Sequence, residues 1–142
     1  MKPPFGSIIL DAAFRLMIPF ILLFAVYVLV HGHYSPGGGF QAGVLFAVSV
    51  ILVRLVHGRD AAWGVSRKGA VILACLGTFI FGGIGLLTVI FGGNVLDYGA
   101  LPLGPHEAEV RAMGTLGIEI GVTIAVMGVI LTIFYAMIGK ED

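Results

Sequence analysis

Four long apolar runs, separated by short connectors rich in glycine, proline and charge, restrict this chain more than any other feature. They fall at about 8–31, 40–57, 69–92 and 107–138. A run of some 20 apolar residues is long enough, as a helix rising ~1.5 Å per residue, to cross the ~30 Å hydrocarbon core of a bilayer. In 142 residues, 58% hydrophobic and 11% charged, the polar surface cannot cover so much apolar side chain in water. The chain is therefore expected to be an all-α, polytopic membrane protein of one domain, with four transmembrane helices.

The first two runs are short. Arg15 interrupts the first, leaving Leu16–Val30 uninterrupted, and Arg54 closes the second. Between them lies His31–Gly43, HGHYSPGGGFQAG. Pro36 fixes one φ and biases Ser35 away from helix. Gly37, Gly38 and Gly39 allow positive φ or close backbone approach. Short spans on either side suggest that this Pro/Gly-rich break lies at membrane depth, where non-helical backbone is tolerated only against protein or a wet cavity. Asp11 and Arg15 are spaced to pair, and Pro19 sits early in its helix. The N-terminal run lacks a small-residue cleavage site and is read as mature protein.

The third run carries seven glycines between Gly69 and Gly93, including Gly82, Gly83 and Gly85. These point to close helix packing, with a functional break at Gly82–Gly85 as the alternative. Trp63 in the second connector fits an interfacial anchor. Pro105, Glu107 and Glu109 form a helix start. With four spans, both ends share a side. Seven basic residues (Lys2, Arg15, Arg54, Arg59, Arg67, Lys68 and Lys140) fall on that side and only Arg111 on the other. The positive-inside rule then makes both termini cytoplasmic.

Glu119 is the one ionisable residue deep in an apolar run. A carboxylate there is costly and ordinarily faces a bundle interior or water. Thr115 and Thr123, one turn to either side, share its face; Gly117, Gly121 and Ala125 form a small-residue stripe roughly opposite. Glu119 is either a proton or cation site or a structural carboxylate paired with a neighbour. His33, whose side chain titrates near neutrality, is a second relay candidate. His31, His33 and His106 lie on one side and His57 on the other, which fits no paired haem or metal ligation, so no cofactor is expected. The single Cys75 gives no intrachain disulfide. Nucleotide-loop, hydrolase and zinc motifs are missing, and balanced charge gives no reason to expect nucleic acid.

GHYSPGGGFQAGVLFA, Gly32–Ala47, resembles the signature region of the MnhB/MrpB family, small membrane subunits of multisubunit Na+/H+ antiporters and of related membrane-bound hydrogenase-type, ferredoxin-dependent complexes. GIEIGV, Gly117–Val122, is similar to the acidic region of that family's last helix. The resemblance covers most of the chain. It implies a non-catalytic, multi-pass subunit of the cell membrane that takes part in Na+ and H+ translocation within an assembly of other antiporter subunits, or alternatively serves only as its scaffold. Gln41, Ala42 and the entry at His31 are similar to the hydrogenase-type or archaeal-like branch, of which the former implies a redox arm as a further partner. By position His33, Pro36, Gly37, Gly38, Gly39 and Phe40 match the motif, and Glu119 the last-helix acid.

Overall fold

The computed structural model describes residues 8–32, 37–58 and 64–139. Among them are four long helices, α1 (Ile8–Val30), α2 (Gly39–His57), α3 (Arg67–Ile90) and α4 (Glu107–Met137), with one turn of 3-10 helix, Tyr98–Ala100, in the last connector. There is no strand among the described residues, and all four helices are long and apolar enough to cross a membrane. His33, Pro36 and Trp63 lie outside the described residues.

The helices form a row rather than a closed bundle. α4 packs on α3 along one side and on α2 along the other; α1 packs on α2 and only lightly on α4. Glycine makes the α3–α4 seam possible. Gly121 and Gly128, seven residues apart, are both buried. A Cβ on Gly121 would lie 3.1 Å from the Phe81 backbone nitrogen, and one on Gly128 would overlap the backbone of Ala74. Gly77 of α3 meets Ala125 and Gly121 in the same backbone-to-backbone way. In lipid, where apolar side chains gain little by leaving their surroundings, such close backbone approach is a main source of helix association. The α2–α4 seam repeats the device with Gly39, Gly43 and Ala47, all buried and four residues apart.

Three polar devices close the ends. Ser66 caps α3, accepting from Gly69 N–H at 3.0 Å, so the helix begins at Arg67. Arg67 donates to the carbonyls of Tyr135 and Gly139 at the end of α4, while the Tyr135 hydroxyl donates to Val65 O. At the other end, Thr88 Oγ accepts from Leu96 N–H at 2.9 Å and holds Leu96 at φ 64. The same connector lays Tyr98 against Gly114.

The third run departs from expectation at Gly82 and Gly83. α3 passes through Gly82–Gly85 unbroken. Gly85 packs under Leu96, but a Cβ on Gly82 or Gly83 would meet nothing within 4 Å. These two glycines pack no helix of the described chain. They face an open apolar groove of about 690 Å³ with Ala74, Cys75, Thr78, Phe79 and Leu86.

A carboxylate in a glycine cradle

Helix α4 carries Glu119 to the point where α1 ends and α2 begins. The chain leaves α1 at Val30, turns through His31 and Gly32, and enters α2 at Gly39. His31 stacks on Tyr27 with ring centroids 4.2 Å apart, and its N–H donates to Tyr27 O at 3.0 Å, which fixes the exit from α1. The α2 entry folds back on α1, with Gly38 N–H 3.4 Å from Val28 O.

Gly32, Gly38 and Gly39 then form a cradle around Glu119. A Cβ on Gly32 would stand 3.0 Å from Glu119 Oε1, and one on Gly38 would stand 3.4 Å from it. A Cβ on Gly39 would overlap the Glu119 carbonyl oxygen and lie 3.0 Å from its Cα. Gly38 takes φ 104, a region closed to most side chains, and as the residue before α2 it supplies no side-chain cap. The Glu119 carboxylate stands beside Gly38, at the positive dipole end of α2, a favourable place for an anion.

Thr123 ties the two helices together. Its hydroxyl lies 2.7 Å from Glu119 O on its own helix and 3.0 Å from Gly39 O across the seam, a buried contact. The expected faces of α4 are thus occupied by different neighbours: Gly121 and Ala125 by α3, Glu119 and Thr123 by α2. Thr115 donates to Arg111 O at 2.9 Å, one turn from Glu119. Further up the same line Arg111 binds Glu107 at 2.7 Å and lies 3.4 Å from Asp97.

The other motif residues lie outside the cradle. Gly37 packs on Val28, and Phe40 is 61% exposed. Phe40 lines a cavity of about 480 Å³ between α1 and α2 with Phe24, Val28, Gly37 and Gln41. Gly32, which opens the signature segment but is not among the candidate site residues, belongs to the cradle. Among the described residues no group of three or more His, Cys, Asp or Glu is arranged to hold a metal.

The cradle lies within the apolar span. Sixteen residues separate Glu119 from Tyr135, where Arg54 and Arg67 gather, or about 24 Å of helix. That is less than the ~30 Å of a hydrocarbon core.

Comparison with known proteins agrees with this architecture. Residues 9–132 match the family described as "Domain related to MnhB subunit of Na+/H+ antiporter". The B subunit of the Na(+)/H(+) antiporter of Bacillus subtilis (strain 168) is 33% identical, with 96% of each chain covered. The putative antiporter subunit mnhB2 of Staphylococcus aureus (strain Newman) is 26% identical over 96% of this chain and 98% of its own. The four spans and these relatives make the protein a multi-pass membrane protein and an antiporter subunit. The chain belongs to the MnhB family of Na+/H+ antiporter subunits.

Proposed function

We propose that this subunit takes part in cation/proton translocation within an assembled Na+/H+ antiporter, and that Glu119 is its protonatable or cation-facing group. The carrying observation is the placement of a carboxylate inside the apolar span, at the N-terminus of a helix whose N-cap and first residue, Gly38 and Gly39, are glycines. A purely packing residue in a glycine seam has no need of charge, and a carboxylate in lipid marks an ion or proton path more often than a structural pair. Thr115 and Thr123, one turn away on either side, add hydroxyl oxygens along the same line. His33 is proposed as a relay on the break.

The basic-residue bias supports cytoplasmic termini, so that Glu119 sits nearer the outer surface. The partners are the other membrane subunits of the antiporter, consistent with the exposed apolar flanks of α1 and α3. We favour a free-standing antiporter over a hydrogenase-linked module, because the relatives named above are antiporter subunits.

The test is Glu119→Gln in the complete complex, reconstituted in vesicles. The amide keeps the size and one acceptor oxygen but has an NH2 donor in place of the other oxygen, and it neither takes up nor loses a proton. Assembly should persist, and Na+-dependent proton exchange should fall about a hundredfold, the low end of what a positioned acid–base group contributes. Exchange at the wild-type rate would refute a role for Glu119.

The alternative, a scaffold with no ion path, draws on the same tight contact of Gly39 with the Glu119 backbone. It predicts that Gly38 or Gly39 substitutions disperse the complex on native gels while Glu119→Gln leaves exchange untouched.

A further inference from the structure

Helix α1 is held to the rest of the chain almost wholly through α2. It packs along α2, and its buried side chains are Ile18 and Ala25. At the end away from the glycine break, Arg15 reaches across to α2. Its Nε donates to Asp11 Oδ2 at 2.8 Å, and its Nη1 lies 2.8 Å from His57 Nε2. A guanidinium has five N–H donors and no acceptor, so Nε2 must be the acceptor. The contact therefore requires a neutral imidazole with its proton on Nδ1.

Among the described residues, Arg54, Tyr135 and Arg67 have contacts of their own at this end. Arg54, one turn earlier on α2, lies 5.8 Å over the Tyr135 ring of α4. The Tyr135 hydroxyl donates to Val65 O, and Arg67 of α3 donates to Tyr135 O and Gly139 O. His57 itself is exposed as the last residue of α2, so water can deliver a proton to it. It lies about 27 Å along α2 from the cradle at Gly39.

We infer that Asp11, Arg15 and His57 form a protonation site, at the opposite end of α2 from Glu119, whose occupancy loosens α1 from α2 at that end. When the Nε2 lone pair takes a proton from water, the imidazole gains one positive charge and loses its only means of accepting from Arg15. Two cations then face each other. Arg15 has somewhere else to go. Asp11 Oδ1 is buried and accepts no hydrogen bond among the described residues. A guanidinium turned fully onto Asp11 can therefore bind both carboxylate oxygens in the usual forked geometry. The contact thus has two satisfied states: Arg15 shared between Asp11 and neutral His57, or Arg15 held by Asp11 alone beside a protonated His57. Neither state involves Glu119.

The experiment uses the assembled complex in lipid vesicles, with Cys75→Ser and nitroxide labels on cysteines introduced at Ala12 and Leu55, exposed positions of α1 and α2. Distances are measured by pulsed electron resonance at a series of pH values from about 8 down to about 5, the range in which histidine side chains change charge. In the otherwise unchanged protein the distance should lengthen or broaden on acidification. His57→Gln, whose amide oxygen still accepts from Arg15 but takes no proton, should hold the short distance throughout the series. His57→Lys, permanently cationic, should show the long distance throughout. The proposal is overturned if the unchanged protein gives one distance throughout the series, or if His57→Gln moves with acid as the unchanged protein does.

Discussion

Replacing Gly39 by alanine adds one methyl group at the tightest point of the α2–α4 seam. The new Cβ would overlap the Glu119 carbonyl oxygen and lie 3.0 Å from both the carbonyl carbon and Cα. All three atoms are backbone, so no rotamer change relieves the clash. The helices must separate by roughly 1 Å to restore ordinary contact between heavy atoms. That movement stretches the Thr123–Gly39 hydrogen bond, now 3.0 Å, beyond useful length. Overpacking of this kind costs about 1–3 kcal/mol and the lost hydrogen bond about 1 kcal/mol more. Alanine's better helix propensity returns at most ~1 kcal/mol, so destabilisation wins, at roughly 1–3 kcal/mol net. Gly82→Ala gains the same propensity and meets nothing within 4 Å. The assay is thermal inactivation of the purified complex, followed by the fraction that still elutes as a monodisperse assembly. At about 3 °C per kcal/mol for a chain of this size, Gly39→Ala should lower the midpoint by roughly 3–9 °C, with Gly82→Ala at or above wild type. Equal midpoints for the two variants would refute the claim that α2 and α4 meet backbone to backbone at Glu119.

Other outcomes follow from the ends of the helices. Arg67→Ala removes the donor to the last carbonyls of α4, worth about 1 kcal/mol at an exposed helix end; amide exchange in residues 135–139 should rise while the rest of α4 stays protected. Unchanged exchange there would mean that Arg67 is not the cap. The basic-residue bias predicts that a fluorescent protein fused after Asp142 is bright and a phosphatase fused there is inactive, as for a cytoplasmic end. The reverse pattern would invert the placement of Glu119 and His57 relative to the two faces of the membrane.

Much of this organisation is legible in the chain itself. A membrane span must satisfy its backbone hydrogen bonds internally, so hydrophobic length alone reveals four helices. The helical period then separates the faces of α4: Gly121 and Ala125 do meet one neighbour, and Glu119 and Thr123 another. The third run shows where this reasoning stops. Gly77, Gly82, Gly83 and Gly85 look alike as small residues, yet Gly77 lies on Ala125, Gly85 under Leu96, and Gly82 and Gly83 on an open groove. Composition says that a backbone can be approached, not that anything approaches it.

What the sequence determined alone was the number of spans, the break between the first two, the face on which Glu119 lies and, through its motif, the family. Tertiary structure decided which surfaces meet. Thr123 finds Gly39 across 84 residues, Arg15 finds His57 across 42 and Arg67 finds Tyr135 across 68. Periodicity is a property of one helix and fixes the direction in which a side chain points. The identity of its neighbour depends on how helices are ordered in the row, and that order is set by where small residues on two separate helices allow their backbones to touch. Glu119 could be read as a carboxylate in need of a partner surface; only the packing of α4 against the start of α2 placed it among Gly32, Gly38 and Gly39.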